Sequence, residues 1–379
     1  MLISGTFLAL LLVSSTCTAD NGQDPASGHF VDSVRKFFLD ILGRHVVGHV
    51  REIMEEVRNL PCPDDAVTFP CECTVNSESD FSPDLDCSEV ESEEELATIL
   101  SYPFPFRNFR NLTIVGNQNL TTLRRGVLGN TTFKEFYITG GALQEVETGA
   151  LSSSYNTATV MNFEGNRLVV FPWGELSAFT GLLELNLNSN KISSFPALIS
   201  DTLQRLDLSN NPLGLIPGTG FKATPDIETV LLDNVNMYEI IPGTFTGHRQ
   251  LRVVSMNSNQ LREVPADAIH FTAGFDLTYV RLSDNVITKV AVDAFIGITK
   301  GSELLVDRNE LMLLHEEVWR PLVEAGVKLQ LQDNPLLCGC DIAWIMLNSS
   351  LLSMVDGRTT CSDGELMVNL SPLIYQDLC

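Results

Sequence analysis

One frame recurs ten times along most of this chain. Its anchor falls at Asn117, Gly141, Asn166, Asn190, Asn211, Val235, Asn259, Asn285, Asn309 and Asn334, in steps of 21 to 26 residues. Apolar residues sit five and three positions before the anchor, as in Leu112/Ile114, Val254/Met256, Leu304/Val306 and Leu329/Leu331. The clearest copies are Leu185-Asn-Leu-Asn-Ser-Asn190-Lys-Ile192 and Leu206-Asp-Leu-Ser-Asn-Asn211-Pro-Leu213, both of the form L-x-L-x-x-N-x-L. Such a period limits the fold severely. One unit this short cannot bury its own apolar face, so neighbouring units must stack and share a core.

The spacing has a local cause. Two apolar residues separated by one point the same way only on an extended chain, so L-x-L is a short strand with an inward face. The asparagine then turns the chain, and its amide can satisfy backbone groups that the turn leaves open. This is the pattern of the leucine-rich repeat. The expected fold is an α/β leucine-rich-repeat solenoid of about ten repeats, with a parallel β-sheet on its concave face. Gly141 and Val235 lack the amide, and those turns are expected to use backbone bonds or water.

Residues 1–19 read differently. Phe7-Leu-Ala-Leu-Leu-Leu-Val13 is a short apolar run, and Cys17-Thr-Ala19 offers small residues for cleavage, as in a secretory signal peptide. The run is too short to span a bilayer, and no later segment reaches spanning length. The mature chain is therefore expected to be secreted and extracellular. A net charge of −24 over 379 residues, with no basic stripe, argues against nucleic acid and anionic membrane as partners.

Residues 20–60 are expected to form an amphipathic helical segment. Val31, Val34, Phe38, Ile41, Leu42, Val46, Val50, Ile53, Val57 and Leu60 recur at helical steps, and Pro61 ends the run. Such a helix is on the order of 40 Å long. Its apolar stripe needs cover from the solenoid, a second copy or another protein. His45 and His49 lie one turn apart there but lack a third ligand, and read as helix-face histidines.

With Cys17 removed, eight cysteines remain in two sets: Cys62, Cys71, Cys73 and Cys87 in residues 61–105, then Cys338, Cys340, Cys361 and Cys379 in residues 336–379. Each set brackets one end of the repeats at 106–335, where the open edge of the core needs a cap. An even count in a secreted chain reads as disulfides. The C-x-C pairs leave metal binding as the alternative, but no clustered histidines support it. Five N-x-S/T sequons, at Asn111, Asn119, Asn130, Asn348 and Asn369, are candidate glycan sites. Asn111 falls on a strand, so a glycan there would cover the N-terminal end of the sheet.

Strand alternation also gives the binding face. Residues two, four and six positions before each anchor are expected to point to solvent on the concave side. In the N-terminal half this face is polar and acidic. From the sixth repeat on, Leu231, Val253, Tyr279, Arg281 and Leu305 make an amphipathic cluster of the composition that protein interfaces use. The chain contains no H-E-x-x-H, G-x-S-x-G or G-x-x-x-x-G-K-[ST] motif, and its histidines are scattered. His315-Glu316-Glu317 reads as a solvated face behind the ninth repeat. No catalytic, cofactor-binding or metal-binding residues are expected, and the chain is not expected to be an enzyme.

The runs Trp319-Arg-Pro321 and Cys338-Gly-Cys-Asp-Ile-Ala-Trp344 are more specific than the repeats. With Pro61-Cys62-Pro63, Pro70-Cys-Glu-Cys73, Phe171-Pro-Trp173 and Pro242-Gly-Thr-Phe245, residues 61–379 resemble a group of secreted arthropod leucine-rich-repeat proteins, the family of the non-catalytic subunit of deep-sea shrimp luciferase (luciferin 2-monooxygenase). The helical segment lies outside that group's pattern. The resemblance implies cap disulfides Cys62–Cys73, Cys71–Cys87, Cys338–Cys361 and Cys340–Cys379. It also implies that oxygenase chemistry belongs to another, smaller catalytic chain. Two functions follow as expectations: a secreted scaffold that binds another protein through its concave face, or an accessory subunit that stabilises a secreted luciferase-type oxygenase.

Overall fold

Each L-x-L stretch is extended because only an extended chain turns both apolar side chains to one side. In the computed structural model, residues 62–75, 82–104, 106–272 and 277–379 are described. The leader expected at 1–19 and the helical segment expected at 20–60 lie outside them. Twelve strands form one sheet in chain order. They are β1 (Glu72–Val75), β2 (Pro83–Asp86), β3 (Asn108–Val115), β4 (Thr132–Thr139), β5 (Val160–Asn162), β6 (Glu184–Asn186), β7 (Arg205–Asp207), β8 (Thr229–Leu231), β9 (Val253–Ser255), β10 (Tyr279–Arg281), β11 (Glu303–Leu305) and β12 (Lys328–Gln330). β1 and β2 pair antiparallel, and every later pairing in the sheet is parallel.

The register follows the frame without a slip. Leu112, Phe136, Met161, Leu185, Leu206, Val230, Val254, Val280, Leu304 and Leu329 stand opposite one another from β3 to β12, and all are buried. A second buried column runs from Ile114 through Phe163, Leu208 and Met256 to Leu331. Burying each such side chain contributes about 1.5–3 kcal/mol, and it does so only because the next repeat covers it.

The asparagines join the repeats as well as turning them. Asn211 is 1% exposed. Its Nδ2 donates to Leu187 O at 2.8 Å and Leu208 O at 3.0 Å, and its Oδ1 accepts from Ile192 N at 3.0 Å. Leu187 and Ile192 belong to the preceding repeat. Asn190, Asn259, Asn285, Asn309 and Asn334 repeat this arrangement.

The two frames without asparagine borrow from the next repeat. Gly141 N donates to Asn166 Oδ1 at 3.2 Å, and Val235 N to Asn259 Oδ1 at 3.0 Å. A backbone bond, Ala142 N to Asn117 O at 2.9 Å, completes the first turn. The expectation of backbone bonds is thus extended by a side chain from the following repeat. At Gly141 a Cβ would lie 2.6 Å from Asn117 O, so the close approach of the two turns requires glycine.

The position before the anchor carries a regularity that the L-x-L-x-x-N-x-L frame does not specify. The residue immediately preceding each anchor is left-handed in all ten frames: Gly116, Gly140, Gly165, Ser189, Asn210, Asn234, Ser258, Asp284, Arg308 and Asp333. Gly, Asn, Asp and Ser at that position were the available signal, since these types adopt this conformation most readily or favour turns. Arg308 departs from it. Its guanidinium pairs with Asp284, Nε to Oδ1 at 2.6 Å and Nη2 to Oδ2 at 2.8 Å, and also contacts Asp307.

Both ends are closed by disulfides. Cys62–Cys73 and Cys71–Cys87 staple the N-terminal cap, and Cys338–Cys361 and Cys340–Cys379 the C-terminal one. In the N-terminal cap, helix α1 (Asp65–Thr68) is followed by α2 (Glu93–Ser101), which buries Leu96, Ile99 and Leu100 against the core. Ser92 caps α2 by accepting from Glu95 N at 3.1 Å, while Glu95 Oε2 accepts from Glu91 N at 2.7 Å. Glu93, Glu94 and Glu95 occupy its first turn, where the helix dipole favours anions. The acidic run after Cys87 is therefore a helix start.

Candidate protein-binding surface

The sheet face is built from the three residue columns that alternate with the buried ones. In the C-terminal half, Leu231, Val253, Tyr279, Arg281 and Leu305 are each half-buried. Register sets their neighbours: Val253 is opposite Tyr279, and Arg281 is opposite Leu305. The Arg281 guanidinium carbon lies 6.0 Å from the centroid of the Tyr279 ring, within cation–π range. Between Leu231 and Arg281 in the central column stands Ser255, which is fully buried.

Ser255 and Asp207 correct the simple alternation rule, which turned both toward solvent. Ser255 Oγ donates to Asp233 Oδ1 at 2.7 Å, and Asn257 N donates to the same oxygen at 2.7 Å. Asp207 is 8% exposed and accepts from Ser209 N at 2.9 Å. Short polar side chains on adjacent strands fold onto one another and close the face locally, which strand parity alone does not reveal.

The N-terminal half carries the carboxylates. Glu164 and Glu184 are exposed, and Asp233 and Glu135 are half-buried. Asn186 Nδ2 donates to Glu164 Oε2 at 3.2 Å. Tyr137 Oη donates to Glu135 Oε2 at 2.8 Å, and burial, with the Glu135 carboxylate second, pushes the phenol up to about 12.

Burial also pushes the Asp207 carboxyl upward. Hydrogen bonds from Ser209 and the charge of Arg205 oppose the shift, and the Asp233 charge adds to it. A carboxyl raised on folding stabilises the fold below its unfolded value, and that contribution is lost as pH rises through the folded value. At neutral pH the charged Asp207 is therefore a liability. Asp207→Asn, which keeps the acceptor for Ser209 N and continues the amide column Asn162–Asn186, is expected to raise stability at pH 7. The gain is expected to vanish as pH falls toward the ordinary Asp value. Chemical denaturation at pH 7 and pH 4 tests this, and equal effects at both would refute it.

Elsewhere the candidate chemistry disperses. Glu316 and Glu317 open helix α3 (Glu316–Glu324), which buries Trp319, Leu322 and Val323 and exposes both carboxylates. His248 is 5% exposed, and burial holds its imidazole below the usual histidine value. Among the described residues, no three His, Cys, Asp or Glu side chains converge as metal ligands. The crevice at the Gly141 turn, lined by Ile114, Ile138 and Asn166, is too tight to admit even a water molecule. The sequon residues Asn119, Asn130, Asn348 and Asn369 are exposed; Asn111 is half-buried on the sheet, opposite Glu135. Asn348 accepts from Ser350 N at 3.1 Å and Leu351 N at 3.3 Å through its Oδ1, capping a short helix at Ser349–Leu352.

Comparison with known proteins agrees with this geometry. A family model described as Leucine Rich Repeat matches residues 202–222. The Oplophorus-luciferin 2-monooxygenase non-catalytic subunit of Oplophorus gracilirostris is 36% identical over 322 residues, covering 84% of this chain and 89% of that protein. The chain belongs to this non-catalytic subunit family. Keratocan of Danio rerio is 28% identical over 141 residues, a match that covers 36% of this chain and 38% of keratocan. Among solved structures, a chain of the octameric complex of Latrophilin 3, Unc5D and FLRT2 superposes with a TM-score of 0.59 at 21% identity, covering 72% of this chain and 82% of that one, and this likeness concerns the fold alone. The shrimp relative is named a non-catalytic subunit, and this chain shares its leucine-rich-repeat family. No helix among the described residues is long and apolar enough to cross a membrane.

Proposed function

We propose that this protein is a secreted scaffold that binds another protein through the concave face of its sheet. The observation that carries the reading is the Tyr279–Arg281 pair, flanked in register by Val253 and Leu305 and half-open to solvent. Aromatic, aliphatic and Arg side chains in contact are what interface hot spots are made of. Secretion accords with the apolar leader, the sequons and the four disulfides, which form in oxidising compartments. Glycans on Asn119 and Asn130 would lie off the sheet, whereas one on Asn111 would shield its N-terminal end.

Similarity to the shrimp subunit favours a second reading, in which the partner is a smaller catalytic chain of a secreted luciferase-type oxygenase that this protein stabilises. Purification from the native secretion under mild, non-reducing conditions, with every co-eluting chain identified by mass spectrometry, separates the two. A stoichiometric smaller chain with oxygenase or light-emitting activity supports the subunit reading; recovery without one supports the general scaffold. With any such partner in hand, Tyr279→Ala and Arg281→Glu are each expected to weaken binding about tenfold or more, with unchanged thermal unfolding. Wild-type affinity in the well-folded double variant would remove this face from consideration.

A further inference from the structure

The sheet face divides by charge as well as by composition. Glu164, Glu184 and Asp233 line its N-terminal half, with Arg205 opposite Glu184, and the apolar and aromatic positions begin with Leu231 on the strand before Asp233 and continue through Val253. The chain as a whole carries a net charge of −24. Any partner that seats on Tyr279 and extends toward the N-terminal repeats must strip water from these carboxylates. Desolvating a charge without a counter-charge is costly, and the upward shift of Asp207 shows the effect of burial on this same face. An anionic partner would add repulsion.

We propose, building on the reading of this face as the binding surface, that its occupant is a cationic protein segment. Its Lys or Arg side chains meet Glu164, Glu184 and Asp233, and an adjoining apolar side chain seats among Val253, Tyr279 and Leu305. Strand spacing sets the scale. From β5 to β8 is roughly 14 Å, about four residues of extended chain, and from β8 to β10 a further ~10 Å, about three residues. The segment is therefore short, with its cations and its apolar anchor at opposite ends. Asn186 already occupies one oxygen of Glu164, and Ser255 and Asn257 one oxygen of Asp233. That leaves the second oxygen of each carboxylate for an incoming cation, and the bonds already made hold both carboxylates in place.

The test uses the full chain and three synthetic peptides of about twelve residues, identical at an apolar Leu/Phe end and carrying Lys, Ser or Glu at the other. Binding is read by fluorescence anisotropy at low and high salt. The Lys peptide is expected to bind tightest and to lose about tenfold or more in E164Q/E184Q/D233N and on raising the salt. The off-sheet control E239Q/E317Q/D363N removes the same charge and is expected to bind like wild type. Equal binding of the three peptides, no binding of the Lys peptide at low salt, or an equal loss in the control overturns the cationic assignment. Tyr279→Ala separates this failure from that of the face itself. If it weakens all three peptides alike while charge has no effect, the face stands and the cationic preference falls. If it changes none of them, the face falls too.

Discussion

Replacing Asn211 by Leu is expected to lower stability by on the order of 3 kcal/mol or more. The side chain is 1% exposed and reaches across two repeats. Without its amide, the carbonyls of Leu187 and Leu208 and the N–H of Ile192 lose partners at 2.8, 3.0 and 3.0 Å in a place water does not reach. Each buried group left unsatisfied costs about 1–3 kcal/mol, and Leu fills most of the space, so the loss reports hydrogen bonding rather than a cavity. Because each repeat touches only its neighbours, the damage is expected to spread locally. Hydrogen exchange should rise first around β6 and β7. The control is Asn210→Gly, next to it but exposed and left-handed, where glycine is well tolerated and little change is expected. Equal unfolding midpoints for Asn211→Leu and wild type would show that the asparagine ladder does not hold the array together.

Breaking the Cys71–Cys87 disulfide with Cys71→Ala/Cys87→Ala is expected to cost about 2–5 kcal/mol. The two residues are 3% and 0% exposed and are separated by 16 positions in the chain. The bond ties β2 to the cap, beside the buried Val90, Leu96 and Leu100. Loosening it uncovers the end of a core that every later repeat extends, so self-association is expected along with the lower unfolding temperature. Thermal unfolding and light scattering under non-reducing conditions give both readouts. A shift equivalent to less than about 1 kcal/mol with no change in scattering would mean that packing alone holds the cap.

The fold is legible in the sequence where the signal is local and periodic. The anchor positions located the ten strands β3 to β12, and the apolar residues five and three positions before them are the two buried columns of the sheet. Strand parity alone places Asp207 and Ser255 on the open face, because it says which way a side chain starts but not whether its neighbours fold over it. For Gly141 and Val235 the expected backbone bonds are joined by one that local sequence does not reveal: their own N–H groups donate to an asparagine oxygen 25 and 24 residues further on. The left-handed residue before every anchor was present in the sequence as Gly, Ser, Asn and Asp, and Arg308 alone breaks that composition.

By itself, then, the sequence determined the repeat, its phase, the inward columns and the need for caps. Each of these follows from the geometry of an extended chain and from the inability of one repeat to bury its own apolar face. Only the tertiary structure decided which groups meet across repeats: the carbonyls each asparagine reaches, the carboxyl that folding desolvates, and the pairing of Tyr279 with Arg281 on an open stretch of sheet. Those contacts depend on how closely neighbouring turns stack, a distance that side-chain bulk on both repeats sets jointly and that neither repeat encodes alone.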